Sequence, residues 1–296
     1  MHSTLIKRPG RIAEVIAKCD LQDEGKPAAS ALITENAVSN TISAHVGRTN
    51  PGGKLAIVVP TRYEVDNIRR LLTRIKDSVD PLGIRYELIV VDDNSNDGIE
   101  RVVRELSHKD SRIRLLIREE CRGLAGAIIH GWQNTDADVL GVIDADLQHP
   151  PEILPGLLKS IQSGADIAIG SRYAATDCRP KWNIFRSLVS QLATRMALPL
   201  QKPGIRVSDP MSGFFLVRRP CIQPLKLQPA GFKLLLEILV KGNIQSVAEV
   251  PFTFGQRCAG RSKASLPVMV DYLRLLMKLW MRQIWMSRGS NPSRVA

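Results

Sequence analysis

The most constraining feature of this sequence is a series of short apolar runs, each followed by a stretch with helical spacing of apolar residues. Continuous apolar runs are typical of strands buried on both faces, and their alternation with helices predicts a parallel sheet covered on each side. The runs, between residues 54 and 170, are KLAIVVP, YELIVVDD, RIRLLI, DVLGVID and ADIAIG. We therefore expect an α/β fold with a mostly parallel central sheet and helices on both faces.

After Arg172 the regular alternation gives way to longer segments. KWNIFRSLVSQLATRMALPL predicts a long helix, and DPMSGFFLVRR predicts a loop followed by an additional strand. FKLLLEILVKG and SVAEVPFTF predict a further helix and a last strand. We expect residues 54–265 to form one domain. Residues 1–53, rich in Ala, Ser, Asn and Thr and ending in TNPGG, are expected to be a loosely structured N-terminal extension.

The segment 266–296 is predicted to be an amphipathic helix and a tail. From Pro267 to Arg288 the charged residues Asp271, Arg274, Lys278 and Arg282 follow one another at spacings of three or four, and so form one narrow stripe. The other positions are largely apolar and include two tryptophans. This pattern favours a helix at a membrane interface, and the alternative is a helix packed on the sheet or in a dimer.

Cysteine use and hydropathy point to a cytoplasmic protein. The five cysteines have no metal-finger spacing and are expected to be reduced thiols. The first residues lack an apolar core of signal-peptide length, and no window reaches the roughly 18 apolar residues of a spanning helix. We expect a peripheral protein on the cytoplasmic face of a membrane.

The formal net charge of +12 is concentrated near the C-terminus. From Arg257 onward eight basic residues stand against one acid, Asp271. Aromatic residues make up only 5% of the chain and no nucleic-acid-binding motif is present, so nucleic acid is not an expected partner. A phosphate-bearing ligand or an anionic membrane surface fits this charge better.

Acidic residues follow three of the predicted strands. The carboxyl ends of parallel strands meet at one edge of a sheet, where ligands bind in open α/β folds. Each acid alone is explained by helix capping or a turn, but three such sites at one edge favour a ligand site. The residues are Glu64 after the first strand, Asp92 and Asp93 after the second, and Asp144 and Asp146 after the fourth.

The first strand is followed by PTRYEVDN, which has no glycine, so a dinucleotide cradle is missing and an oxidoreductase is disfavoured. Carboxylates instead suit the base and ribose of a nucleoside diphosphate. Asp146 and Gln148 offer hard oxygen ligands for Mg²⁺ or Mn²⁺ bridging a diphosphate. His149 could also be a ligand, although its place before Pro150 favours a turn residue.

Basic residues provide the opposite charge. Arg172 follows the fifth strand, and Arg257, Arg261 and Lys263 lie in a glycine-containing turn that could close over phosphates. A solvated basic turn explains the latter equally well. Arg186 and Ser190 are four apart on the long helix and could bind a second phosphate.

Eight ordered motifs between about Lys54 and Ser265 resemble the inverting glycosyltransferases of family 2, and within them the dolichol-phosphate (polyprenol-phosphate) mannose synthases. The motifs are VVPTRYE, VVDDNSNDG, GLAGAIIHGW, IDADLQHPPE, IGSRY, SDPMSGFFLVRR, GFKLLLEILVKG, and EVPFTF followed by RCAGRSK. The resemblance implies the nucleotide-sugar-binding fold called GT-A. It also implies transfer of mannose from GDP-mannose to a membrane-held polyprenyl phosphate with inversion.

The resemblance also implies roles for individual residues. Metal ligation falls to Asp146 and Gln148, acceptor-phosphate binding to Arg186 and Ser190, and catalysis to Asp146, Arg172 and Arg186. The implied donor contacts are Pro60, Glu64, Val91, Asp93, Asp144, Ala145, Asp146, Gln148, Arg172, Arg257 and Lys263. One departure concerns Arg62, since the family usually has tyrosine at this position and here Tyr63 follows it.

A phosphate acceptor is already anionic near neutral pH, so the expected displacement needs no strong general base. Two alternatives stay open at this stage. One is an enzyme that uses UDP-glucose or another UDP-sugar with the same lipid carrier. The other is a non-catalytic nucleotide-sugar-binding scaffold that recruits a transmembrane subunit through its last helix.

Overall fold

The computed structural model describes residues 53–119, 123–174, 195–202, 204–228, 233–253, 255 and 274–281. Residues 1–52 of the predicted N-terminal extension and most of the segment 266–296 lie outside these residues. Within them, no helix is both long and apolar enough to cross a membrane.

One seven-stranded sheet organises the described part of the chain. Its spatial order is β3-β2-β1-β4-β6-β5-β7, and every neighbouring pair is parallel except the two pairs made by β6. The strands are β1 (Leu55–Thr61), β2 (Tyr86–Asp92), β3 (Ile113–Ile117), β4 (Val139–Val142), β5 (Ile167–Ser171), β6 (Phe215–Arg218) and β7 (Val247–Pro251). The mostly parallel α/β fold predicted from the sequence is confirmed.

Helices cover both faces of this sheet. They are α1 (Val65–Val79), α2 (Ile99–Lys109), α3 (Leu124–Gln133), α4 (Leu154–Gln162), α5 (Arg219–Ile222) and α6 (Leu234–Lys241). Short 3-10 turns occur at Asp80–Leu82, Pro151–Ile153 and Leu198–Leu200, and residues 274–281 are also helical.

Two apolar cores lie on opposite faces of the sheet because successive strand residues point to opposite sides. Ile57 and Val59 of β1 face one core, which α1, α2 and α4 complete. Val58 between them faces the other core, formed with α3, α5 and α6. Strands buried on both faces explain the continuous apolar runs in the sequence.

A third, smaller apolar cluster fixes the described part of the C-terminal helix. Leu275, Leu276 and Leu279 are buried there against α6 and the turn at Leu198–Leu200. The opposite side of the same helix exposes apolar side chains at Met277, Trp280 and Met281. The helix therefore has one apolar side packed on the protein and another facing outward.

Candidate active site

The turn after β4 forms the centre of the site. The sequence predicted that Asp144 and Asp146 follow the fourth strand, and β4 ends at Val142. The backbone then turns, with Leu147 in the left-handed region at φ 61°. The Oδ1 atom of Asp146 accepts the N–H of Gln148 at 3.1 Å, which stabilises the turn. Asp146 is therefore nearly buried, whereas the side chain of Asp144 is 31% exposed.

Asp144 lies against the chain segment that leads into β6. A Cβ atom added at Gly213 would lie only 2.7 Å from Oδ2 of Asp144, so this close approach requires glycine. The Nδ1 atom of His149 lies 3.6 Å from the same oxygen. His149 occupies the predicted bend but is buried between the rings of Phe214 and Phe252, with centroids 5.7 and 5.5 Å away.

Burial lowers the pKa of His149, although the charges of Asp144 and Asp146 oppose this effect. The imidazole is therefore neutral at pH 7. The influence of both carboxylates on one buried ring also shows that they lie within electrostatic reach of it. The acidic pair predicted from the sequence thus lies in one cluster.

Arg172 joins this cluster from the end of β5. Its Nε and Nη2 atoms donate to the two oxygens of Asp209, each at 2.7 Å, and Asp209 is fully buried. Burial acts to lower the pKa of Arg172, but the hydrogen bonds to Asp209, helped by Tyr173 and Asp144, raise it instead. The guanidinium therefore stays charged beside the acidic turn.

Lys233, which was not among the predicted site residues, lies within electrostatic reach of the same charged groups. It is the residue just before α6. Burial and the charge of Arg172 lower its pKa, whereas Asp144 and Asp209 raise it. The sequence feature that could have indicated Lys233 is its place directly before the strongly apolar run LLLEILV. A helix with such a run packs against the core, so the residue that precedes it lies close to the core as well.

The ends of β1 and β2 form the other half of the same sheet edge. Thr61 donates through Oγ1 to Oδ1 of Asp92 at 3.0 Å, and Oγ of Ser95 accepts the N–H of Tyr63 at 3.0 Å. Oδ2 of Asp97 accepts the N–H of Val65 at 3.1 Å. These contacts hold the loops after the two strands together.

Asp93 is buried in this region and fixes a third loop. Its Oδ1 atom accepts from Nη1 of Arg118 at 2.7 Å, and its Oδ2 atom accepts the N–H of Gly123, just before α3, at 2.8 Å. Pro60 and Val91 face each other in the register of β1 and β2. Because β1 pairs with β4 only as far as Val58, Pro60 lies where the strand has one neighbour.

The predicted site residues that the structure describes lie in the last residues of β1 and β2 or directly after β1, β2, β4 and β5. They are Pro60, Glu64, Val91, Asp93, Asp144, Ala145, Asp146, Gln148 and Arg172. Ala145 is buried in the core, and Oε2 of Glu64 accepts from Nδ2 of Asn67 at 2.8 Å. The remaining predicted residues lie outside the described residues, namely Arg186, Ser190, Arg257 and Lys263.

The turn after β4 is also tied to the chain that follows β7. Nε2 of Gln148 donates to the carbonyl of Gly255 at 3.3 Å, and the N–H of Gly255 donates to the carbonyl of Gln148 at 2.9 Å. These contacts place the start of the predicted basic turn beside the predicted metal ligands. Gln148 donates through Nε2, so its Oε1 is the atom that could coordinate a cation.

The donor set suits a cation that a ligand helps to hold. Among the described residues, no three His, Cys, Asp or Glu side chains gather as a metal site. Magnesium is usually bound by one or two carboxylates together with substrate phosphates and water, and it does not need a protein cage. Asp146, with Asp144 and Gln148 in the same turn, fits that mode of binding.

Comparison with known proteins gives a consistent family match. The family model described as Glycosyl transferase family 2 matches residues 56–224. The dolichol-phosphate mannosyltransferase of Pyrococcus furiosus is 41% identical over 229 residues, which are 76% of this chain and 63% of that protein. This chain therefore spans less than two thirds of the length of the Pyrococcus protein. The Saccharomyces cerevisiae dolichol-phosphate mannosyltransferase is 37% identical over 235 residues, 76% of this chain and 86% of that protein.

Solved structures share the fold at lower identity. One is glucosyl-3-phosphoglycerate synthase from Mycobacterium tuberculosis, crystallised with Mn²⁺, UDP-glucose and phosphoglyceric acid. Its TM-score is 0.56 at 22% identity, and the match covers 78% of this chain and 79% of that one. Mannosyl-3-phosphoglycerate synthase from Rubrobacter xylanophilus has a TM-score of 0.58 at 17% identity, covering 82% and 78%. These likenesses show the fold alone.

Proposed function

Because the chain belongs to glycosyl transferase family 2, we propose that it transfers mannose from GDP-mannose to a polyprenyl phosphate with inversion at the anomeric carbon. The observation that carries this proposal is its 35–41% identity to dolichol-phosphate mannosyltransferases of three organisms. The acidic and basic residues at the sheet edge provide the chemistry that such a transfer requires.

The donor is proposed to lie along the carboxyl ends of β1, β2 and β4. Pro60, Glu64, Val91 and Asp93 would border the nucleoside, with Val91 reaching it through its backbone because its side chain is buried in the core. Asp144, Ala145, Asp146 and Gln148 would border the ribose and the diphosphate.

Mg²⁺ or Mn²⁺, held by Asp146 and Gln148 together with the donor diphosphate, would offset the negative charge that develops on departing GDP. Arg172 would direct its charged guanidinium at the same phosphates from the end of β5. We assign Lys233 to this function as well, because it lies in the same charged cluster. Arg257 and Lys263 would approach from the basic turn that follows Gly255.

The acceptor step is proposed to be a direct displacement by a phosphate oxygen. Arg186 and Ser190 would bind the lipid phosphate and align it opposite the leaving group. A phosphate monoester already carries negative charge near neutral pH, so no side chain has to remove a proton first. The rate would then come from positioning and from fixed charges.

Access to a lipid acceptor requires contact with a membrane surface, which we propose on its cytoplasmic face. The outward side of residues 274–281 combines exposed Met277, Trp280 and Met281 with the basic residues Arg274 and Lys278. Apolar and basic side chains together suit an anionic interface. The same face could also recruit a transmembrane subunit.

A transfer assay with two labelled donors tests the proposal. We expect purified protein, given a divalent cation, to move labelled mannose from GDP-mannose to a polyprenyl phosphate in detergent or liposomes. Unphosphorylated polyprenol is the matched control and should accept nothing. Transfer from UDP-glucose would identify the sibling activity, and binding without transfer from either donor would identify a scaffold.

A further inference from the structure

The buried carboxylate of Asp209, which pairs with Arg172 in the site described above, also determines the geometry of the Arg172 guanidinium. Besides the two 2.7 Å bonds from Nε and Nη2, the backbone N–H of Arg172 donates to Oδ2 of Asp209 at 3.2 Å. A bidentate arginine–carboxylate pair fixes both the position and the plane of the guanidinium. Asp209 is fully buried, so it does not contact a ligand itself and acts through the groups that it holds, foremost Arg172.

Asp209 is itself held by a second carboxylate. Oε2 of Glu249, in β7, accepts the N–H of Ser208 at 2.9 Å, and Oε1 accepts the N–H of Asp209 at 3.3 Å. The loop that precedes β6 is thereby tied to both β5 and β7. A shift of this loop would be transmitted directly to the guanidinium of Arg172.

Asp209 also acts on a second basic side chain, Lys233. Burial and the charge of Arg172 both lower the pKa of Lys233, whereas Asp209 and Asp144 raise it. Without the negative charge of Asp209, the guanidinium of Arg172 would lose its bidentate partner. Its direction, and not only its stability, therefore depends on Asp209.

We propose that Asp209 is a positioning residue that orients Arg172 toward the departing phosphates of the donor. The inference rests on the proposed sugar transfer. A buried ion pair is by itself weak evidence for stability, because desolvation offsets the attraction between its charges. This pair is informative because Arg172 directly follows Ser171, the last residue of β5, at the carboxyl edge of the sheet where the chemistry is proposed to occur.

The test is a double-mutant cycle on the full chain, with kcat and the KM for the donor measured separately. Asp209→Asn keeps the shape of the side chain but removes its charge. We expect it to lower kcat by about 100-fold with little change in KM, as for misplaced catalytic groups. Arg172→Ala should cause a loss of similar size, and the double variant should be no slower than Arg172→Ala.

Two further variants separate positioning from folding. Glu249→Gln loosens the loop that precedes β6 without changing Arg172. We expect this substitution to lower kcat by about tenfold in the wild-type background and to have no effect in the Arg172→Ala background. Asp166→Asn is the matched control: Asp166 directly precedes β5 and accepts the N–H groups of Gln245 and Ser246 at 2.7 and 3.0 Å, far from the site. It should leave kcat unchanged.

Full kcat in Asp209→Asn, or a loss in the double variant equal to the product of the two single losses, would overturn the inference while leaving the proposed function intact. An inactive wild-type protein with every donor would overturn both. If Asp209→Asn fails to fold, Glu249→Gln is compared in the presence and absence of Arg172. A loss of kcat only when Arg172 is present supports the inference, and an equal loss in both backgrounds overturns it.

Discussion

At the scale of single residues, Asp146 carries the proposed chemistry most directly. We expect Asp146→Ala to abolish metal-dependent donor binding and to lower kcat by at least about 100-fold, because the cation would lose a charged ligand in a nearly buried turn. Calorimetric titration of GDP-mannose with and without Mn²⁺, together with the transfer assay, checks this. Asp136→Asn, which changes an 87% exposed carboxylate, is the control. Full activity in Asp146→Ala would remove the metal hypothesis.

Tyr63 offers a test of local strain. Its backbone lies in the left-handed region at φ 61°, which costs most side chains about 1–2 kcal/mol but which asparagine tolerates. The side chain is 61% exposed, so little packing is lost on replacement. We expect Tyr63→Asn to raise the free energy of unfolding by about 1 kcal/mol in urea titrations, and Tyr63→Phe to leave it unchanged. Lower stability in Tyr63→Asn would show that the ring contributes more than the strain costs.

The sequence was sufficient to find the acidic residues of the site but not their arrangement. Asp144 and Asp146 were identifiable because they follow an apolar run. The side chain of Asp144 is more exposed than that of Asp146 because the backbone turns after β4, with Leu147 in the left-handed region. No local sequence pattern predicts this turn. Lys233 and Asp209 were missed for a related reason: the residue before α6 and the loop before β6 reach the surroundings of Arg172 only through tertiary packing.

At the scale of elements, α3 packs closely on the sheet at Gly131. A Cβ added there would lie 2.6 Å from Cγ2 of Val58 in β1. We expect Gly131→Ala to destabilise the protein by about 1–3 kcal/mol, the usual cost of overpacking a core. Thermal or chemical unfolding provides the measurement.

Gly156 in α4 is a matched control with the opposite expected sign. A Cβ added there would meet Cγ1 of Val250 at 3.4 Å, which is an ordinary contact. Gly156→Ala should therefore stabilise the protein by about 0.5–1 kcal/mol, through the lower conformational entropy of alanine in the unfolded chain. Equal effects of the two substitutions would contradict the close approach at Gly131.

Most elements follow from the sequence because their apolar periods are clear, as in the alternation between β1 and α1. The direction of β6 was not predicted. Its first three residues, Phe215 to Val217, are as apolar as those of a parallel strand because β6 lies inside the sheet and is covered on both faces. Burial determines composition, whereas direction depends on how the long segment after β5 returns to the sheet.

At the scale of the whole molecule, an ion-pair network remote from the site makes stability depend on pH. Asp110 accepts from Nε and Nη2 of Arg112 at 2.9 and 2.8 Å and pairs with Lys76 at 2.6 Å. The hydrogen bonds from Arg112 hold the pKa of Asp110 well below its ordinary value of 3.8. A lowered pKa in the folded state stabilises the protein fully above pH 4, and this contribution is lost as the pH falls below that value.

We therefore expect Asp110→Asn to lower the free energy of unfolding at pH 7 by about 1–2 kcal/mol. The difference from wild type should shrink as the pH is lowered from 4 toward 2. Urea titrations at several pH values provide the measurement. Asp77→Asn, at an exposed position on α1, is the control. A difference in the free energy of unfolding that does not change with pH would show that Asp110 stabilises the protein through the shape of its side chain and not through its charge.

The outward side of residues 274–281 makes a prediction about membrane binding. Met277 and Met281 are 61% and 54% exposed, so replacing both with glutamate should not disturb the core. We expect the double variant to bind anionic liposomes at least about tenfold more weakly in flotation assays, because apolar contact is lost and charge repulsion is added. Leu82→Glu, at a 38% exposed position elsewhere, is the control. Unchanged flotation would assign this face to another partner.

The antiparallel insertion of β6 also has a consequence for the protein during its synthesis. Strands β1 to β4 form a contiguous half-sheet from residues 55–142, but the open edge of β4 is closed only by β6, which begins at Phe215. A nascent chain therefore emerges from the ribosome with an uncovered apolar strand edge, which can pair with other chains. We therefore expect this edge to be open to pairing with other chains while the segment between β4 and β6 is translated.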